Sequence, residues 1–386
     1  MTRLGFALLL CAAAGAGPVR AEPPAGLFQG APRIGSEESW SLKPRGYLQW
    51  DIGHISRPEG VSDDGLGTRA ALRRARFGVE GTMPGGFGFV FEIDAAGDVI
   101  EIQDATLSYR ASPRLKLTAG QHNGFQSLDE LTSGRFTSFV ERPAFTDAFG
   151  FERRLGLSGT WSHGPVTAQL GLFQGNLLDL DEPGTPLGID GRIVYAPELG
   201  GGRLHLGASA HWRDAADRTV RYQQRPLIHA TEVRFLATPS LPVAREASFG
   251  LEAAWIGGPL HLAGEAHWLD ADGRTYFGGY AEIGWFLTGE SRGYRDARWD
   301  RTRVRRPIEQ GGLGAVQLNL RYDRLDLGAG GVQDGVQASL IWIPTDHVRF
   351  NINLARLSYD RAAIPAAGGD RSYGVTVAVA RAQIDF

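Results

Sequence analysis

Tyr373-Gly374-Val375-Thr376-Val377-Ala378-Val379-Ala380-Arg381-Ala382-Gln383-Ile384-Asp385-Phe386 is the final stretch of the chain, and it alternates to its last residue. A side-chain period of two puts Ala380, Ala382, Ile384 and Phe386 on one face and Arg381, Gln383 and Asp385 on the other, the pattern of a strand. An alternating strand that closes on an aromatic predicts the last strand of a bacterial outer-membrane β-barrel, where such a terminus resembles the signal read by the assembly machinery. Pairing this strand with the first would remove the open sheet edges that lipid cannot hydrogen-bond.

The same alternation recurs upstream. Phe87, Phe89, Phe91 and Ile93 alternate with Gly88, Val90, Glu92 and Asp94, and Val316, Leu318, Leu320 and Tyr322 alternate with Gln317, Asn319 and Arg321. Leu204, Leu206 and Trp212 share a face opposite His205, Ser209 and His211. Tyr109, Trp161, Trp212, Trp268 and Trp342 stand near the ends of apolar faces, where a membrane interface favours amphipathic rings. Connections alternate between short (Met83 to Gly86, His163 to Pro165, Gly257 to Pro259) and long (Ser56 to Gly67, His122 to Arg153, Arg213 to Ala247). The expected fold is therefore all-β: a transmembrane antiparallel up-and-down barrel of about 16 strands, with short periplasmic turns and longer extracellular loops. An even strand count requires Ile228 to Leu236 to lie in a loop and Thr288 to Gln310 to form a long periplasmic connection.

Three segments are expected. Residues 1–21 read as a signal peptide, with Arg3 ahead of an apolar run and small residues near Ala21; residues 22–44, rich in proline, read as poorly ordered; residues 45–386 form the barrel. A lipoprotein signal on Cys11 is the rival reading of the first segment. Cys11 is the only cysteine, so a mature chain lacking it has no disulfides and no thiol chemistry. No stretch has the roughly 18 uninterrupted apolar residues of a transmembrane helix. With 40 Lys+Arg against 43 Asp+Glu, the chain has no basic excess for nucleic acid. It has no nucleophile elbow, His-Glu-x-x-His motif or phosphate-cradling loop, and no cofactor is expected. A catalytic barrel, such as a hydrolase using Ser209 and His211, stays open as an alternative, as does an adhesive barrel whose loops do the work. His205, His211, His261 and His267 lack ligand spacing and read as lumen-lining rather than as a metal site.

Four groups of residues resemble the phosphate-selective porin O and P family. They are Leu72-Arg73-Arg74-Ala75-Arg76-Phe77-Gly78-Val79; Gly120-Gln121 followed by Leu128 to Ser133; Phe139 to Arg142 followed by Arg153 to Gly156; and Phe286 to Arg292 with Tyr294. The resemblance implies a homotrimer of 16-stranded barrels in outer-membrane lipid, each with its third loop folded into the lumen. It also implies passive, anion-preferring diffusion of phosphate-like solutes, without cofactor or chemistry. The chain departs from the pattern after Gly120-Gln121, where His122-Asn123-Gly124-Phe125 stand in place of a lysine and a Pro-Phe pair. The loss of that charge keeps a weakly selective porin for other small solutes open as the second reading.

A selective anion pore needs several weak positive sites along its wall. With Phe77 and Val79 facing lipid, Arg74, Arg76 and Glu80 are expected to face the lumen, as are Arg154 and Arg192. Arg135, Arg142 and Arg153 could converge on them from the third loop, and His122 occupies the lysine position. The alternative is that these arginines only hydrate the interior and brace the loop against its carboxylates. The basic run from Arg292 to Arg306 reads as a solvated connection, or else as a positive vestibule.

Overall fold

The protein is described by a computed structural model that covers residues 31–36, 39–177 and 187–386. The signal peptide expected at 1–21 lies outside the described residues. Sixteen long strands form the barrel: β1 (Ser41–Ile55), β2 (Gly67–Met83), β3 (Phe87–Asp94), β4 (Glu101–Ser112), β5 (Leu115–Asn123), β6 (Arg153–His163), β7 (Val166–Phe173) and β8 (Leu187–Tyr195) make one half. The other half is β9 (Gly202–Val220), β10 (Leu241–Gly257), β11 (Leu260–Ala271), β12 (Arg274–Phe286), β13 (Ala315–Asp326), β14 (Val332–Thr345), β15 (Val348–Asp360) and β16 (Tyr373–Asp385). Every strand pairs antiparallel with its sequence neighbour, and β16 pairs with β1, so the sheet is closed. β1 begins at Ser41, inside the segment expected to be poorly ordered, because Ser41 to Arg45 already pair with Thr82 to Gly78 of β2.

Closure runs to the end of the chain. The Gly46 N–H donates to the Phe386 carbonyl at 3.2 Å, and the Phe386 N–H donates back to Gly46 at 3.1 Å. Along β16, Arg381, Gln383 and Asp385 are buried while Ile384 is exposed, so the charged face points inward and the apolar face outward. The rest of the barrel follows the same rule. Leu157, Leu170, Ile193, Leu320 and Leu354 are each more than half exposed, whereas Gln317, Asn319, Arg321 and Asp323 are buried. A soluble sheet would invert that arrangement; a lipid-facing surface requires it. Rings collect at both ends of the apolar band, with Phe87 against Tyr109 and Trp342 against Phe350 at the short-turn end. Trp268 between Phe249 and Phe277 marks the long-loop end. Substituting Leu320 with Arg, on the lipid face, should destabilise the barrel by about 2–4 kcal/mol in urea titrations of protein folded into vesicles.

Two connections set the interior. The segment between β12 and β13 is long, although it lies at the short-turn end. It forms a ribbon, Gly293–Arg295 against Arg298–Asp300, turned through Asp296 and Ala297, both at positive φ. The sequence read this run as solvated, and Arg295, Arg298, Arg303, Arg305 and Arg306 are exposed as that reading has it, whereas Arg292 and Trp299 are buried and pack the ribbon against the interior. At the opposite end, Ile228 to Leu236 lie in a connection as expected. That connection is only 221–240, because β9 continues to Val220 past a register shift between Asp214 and Arg218.

Candidate functional site: an arginine-lined lumen

The third loop, residues 124–152, carries two short helices, α1 (Leu128–Leu131) and α2 (Ala144–Ala148). Its backbone is held by inward-facing side chains of the second half of the barrel. Glu265 on β11 accepts from Leu128 and Asp129 N–H (3.0 and 2.8 Å), Asp323 on β13 from Ala144 (2.9 Å), and Asn353 on β15 from Val140 (3.2 Å). Guanidinium groups take its carbonyls: Arg349 donates to Arg135 O at 2.9 Å, and Arg381 to Val140 O at 2.7 Å. Glu282 on β12 joins four partners, Arg321 (2.7 Å), His261 (3.1 Å), Arg292 (3.4 Å) and the Ser138 hydroxyl. The β12–β13 ribbon meets the loop here, with Trp299 N–H donating to Thr132 Oγ1 at 3.3 Å.

What remains open is a cavity of about 1080 Å³. Its lining residues run from Arg225 and His229, in the 221–240 connection, to Lys43, Arg114 and Phe386 at the short-turn end. Its barrel wall is built almost wholly by β1–β8, opposite the strands that hold the loop. Seventeen Lys or Arg residues line it against eight Asp or Glu. The whole chain has 40 against 43, so the fold has sorted its charges and placed a cationic excess along this path. Both lysines of the chain, Lys43 and Lys116, are among them.

Of the arginines expected here, Arg74, Arg76, Arg135, Arg142, Arg153 and Arg192 line the cavity, together with His122. Arg154 does not; it binds Asp190 at 2.6 Å and stacks on Phe173 beside the cavity. Most of the others are paired. Arg76 meets Asp94 at 3.0 Å, Arg142 meets Glu130 at 2.8 Å, Arg153 meets Asp104 at 2.9 Å and Arg192 meets Glu252 at 2.6 Å. His122 contacts Ser158 Oγ at 2.7 Å. Arg74 differs: among the described residues it has no carboxylate within 4 Å, and one N–H goes to Gln49 Oε1 at 2.8 Å. Arg135 comes no closer to a carboxylate than 3.9 Å, at Asp385.

Two groups of lining residues escaped the sequence reading, and a third was read only under the alternative of a positive vestibule. Arg73 is the extra residue of a β-bulge, since Gln49 pairs with Arg74 but Trp50 pairs with Leu72. The bulge turns Arg73 inward beside Arg74, where it grips Glu141 of the loop through two N–H groups (2.9 and 3.1 Å). Burial pushes the Glu141 carboxyl up, but Arg73 and then Arg381 outweigh it and hold it well below the usual range. Lys43, Arg45 and Tyr47 share one face of β1, and their period of two was legible had the strand been started at Ser41. Arg298, Arg301 and Arg303 arrive on the β12–β13 connection, and no local pattern marks their inward turn.

The family model for phosphate-selective porin O and P matches residues 42–386. An uncharacterized protein of Caulobacter vibrioides is 46 % identical over 380 residues, covering 93 % of this chain and 76 % of its own length. Porin O of Pseudomonas aeruginosa is 29 % identical over 35 % of this chain and 36 % of its own. Among solved structures, an anion-selective porin from Comamonas acidovorans superposes with a TM-score of 0.56 at 15 % identity, over 90 % of this chain and all of that one.

Proposed function

Because the chain belongs to the phosphate-selective porin O and P family and is an outer-membrane porin, we propose that it is a passive, anion-preferring channel admitting phosphate or related small oxyanions. The excess of seventeen cationic over eight acidic residues along one continuous cavity carries this reading. A lumen with low-dielectric walls and net positive charge raises the local concentration of anions and repels cations. Residues 124–152 narrow the path by filling the β11–β16 side, leaving permeating ions to the β1–β8 wall. Arg74, Arg76, Arg135, Arg142, Arg153 and Arg192 serve as successive sites, and His122 adds a hydrogen-bonding group without a fixed charge. The solute gradient is the only driving force and no cofactor takes part. Assembly is as a homotrimer embedded in outer-membrane lipid, in line with the family resemblance.

A second reading, a weakly selective general-diffusion pore, draws on one observation. Arg76, Arg142, Arg153 and Arg192 are each neutralised by a carboxylate, so much of the formal charge is already spent. Reversal potentials in planar bilayers under a KCl gradient decide between them. A potential displaced toward the chloride equilibrium value is the expected result; a value near zero favours the second reading, and displacement toward potassium excludes the first.

A further inference from the structure

We propose that the end of the β12–β13 connection, residues 305–314, is a docking surface for a negatively charged phospholipid of the periplasmic leaflet. At the short-turn end the lipid-facing band finishes in a cross-strand row. Leu287 N–H donates to the Val316 carbonyl at 2.8 Å, Val316 pairs with Trp342, and Trp342 pairs with Phe350, their rings stacked at 5.4 Å. The Trp342 indole N–H then donates to the Leu313 carbonyl at 2.8 Å. That bond ties the connection to the row, at the depth where a bilayer interface holds amphipathic rings. Leu313 is 64 % exposed and Leu287 47 %, and Ile308 is exposed on the preceding turn. Apolar side chains held open at this level meet acyl chains.

Two arginines stand over this strip. The Arg305 guanidinium sits beside Gly289, two residues past Leu287, where an added methyl group would lie 3.0 Å from it. The Arg306 carbonyl accepts from Gly314 N–H at 3.0 Å, which sets Arg306 next to Leu313. Both side chains are exposed, and neither lines the cavity, unlike Arg298, Arg301 and Arg303. Arg295 and Arg301 are matched by Asp300 and Asp385. Arg305 and Arg306 have no carboxylate within 4 Å among the described residues, Glu309 on the same turn included. Each guanidinium can give phosphate two parallel charge-assisted bonds, and the apolar strip below accepts the acyl chains of the same molecule. A headgroup of net negative charge keeps that gain, whereas a zwitterionic one sets its own cation against the arginines. A lipid held here would fix from outside the connection whose first half reaches the third loop through Trp299.

The test titrates delipidated protein in neutral detergent with phosphatidylglycerol and, separately, with phosphatidylcholine, counting bound lipids by native mass spectrometry. Phosphatidylglycerol is expected to bind at least about tenfold more tightly. Arg305→Ala combined with Arg306→Ala should weaken it about thirtyfold, at roughly fivefold for each basic side chain near an anionic surface. Arg203→Ala removes an arginine at the same end that Glu198 already matches, and should change the affinity less than about twofold. Equal affinity for the two lipids overturns the proposal, as does a double variant within about twofold of wild type. An Arg203→Ala loss as large as that of the double variant also overturns it, since net charge and not this surface would then hold the lipid. So does phosphatidylglycerol bound only to dissociated barrels, which would mean that a second copy of the chain covers the surface. None of these outcomes bears on the anion-channel reading, which reversal potentials decide.

Discussion

Replacing Arg74 and Arg135 together with Ala should lower the chloride-to-potassium permeability ratio at least about tenfold. Neither side chain is closely matched by a carboxylate, Arg74 having none within 4 Å among the described residues and Arg135 only Asp385 at 3.9 Å. Their charge therefore reaches the permeating ion largely uncancelled. A unit charge about 4 Å from an ion is worth roughly 1 kcal/mol even at the dielectric of water, about fivefold in partition, and more where the walls exclude water. Arg154→Ala is the contrasting case. Arg154 is spent on Asp190 beside the cavity, so its loss should move the ratio by less than about twofold. Reversal potentials under a KCl gradient measure both, and an unchanged ratio in the double variant would remove Arg74 and Arg135 from the selectivity machinery.

The second large effect is expected at Glu282, outside the open path. It is 6 % exposed and holds Arg321, Arg292, His261 and Ser138, which belong to β13, the β12–β13 connection, β11 and the third loop. Removing the shared carboxylate of a buried network leaves the others as uncompensated charges, a cost of about 3–5 kcal/mol. Glu282→Ala should therefore unfold in less denaturant and show a noisier, larger single-channel conductance as loop and connection loosen together. Glu282→Gln keeps some hydrogen bonds and should fall between. A Glu282→Ala channel as quiet and stable as wild type would mean that the loop is held elsewhere.

The barrel was largely legible in the sequence because alternation is a local property, and each strand declares its two faces without reference to its neighbours. Leu318 and Leu320 opposite Gln317, Asn319 and Arg321 could be placed before any pairing was known. The lumen was legible only in part, because filling it depends on contacts far apart in the chain. A single inserted residue at Arg73 breaks the period of two, so counting from Phe77 reaches Arg74 and Arg76 but misses Arg73. The run from Arg292 to Arg306 mixes acids and bases as a hydrated linker does. The burial of Arg292 and Trp299 within it follows from third-loop partners such as Ser138 and Thr132, which lie more than 150 residues away in sequence. The charge sorting is likewise invisible to composition, since the totals of 40 and 43 nearly cancel.

The seam between β1 and β16 also bears on how the molecule is made. Arg381 grips Asp51 with two bonds of 2.6 and 2.7 Å, and Gln49 bonds Gln383 at 2.7 Å, joining positions more than 300 residues apart. The same Arg381 holds the third loop through Val140 and Glu141. One anchor of the interior thus depends on a contact between residues 330 apart in sequence, whose closure entropy is met only when the last strand docks. Barrel closure thereby completes the set of anchors that Glu265, Asp323 and Asn353 begin. With the seam open, the wall would keep two unpaired strand edges and the third loop would lack its Arg381 anchor, so one side chain ties the sealing of the wall to the shape of the lumen.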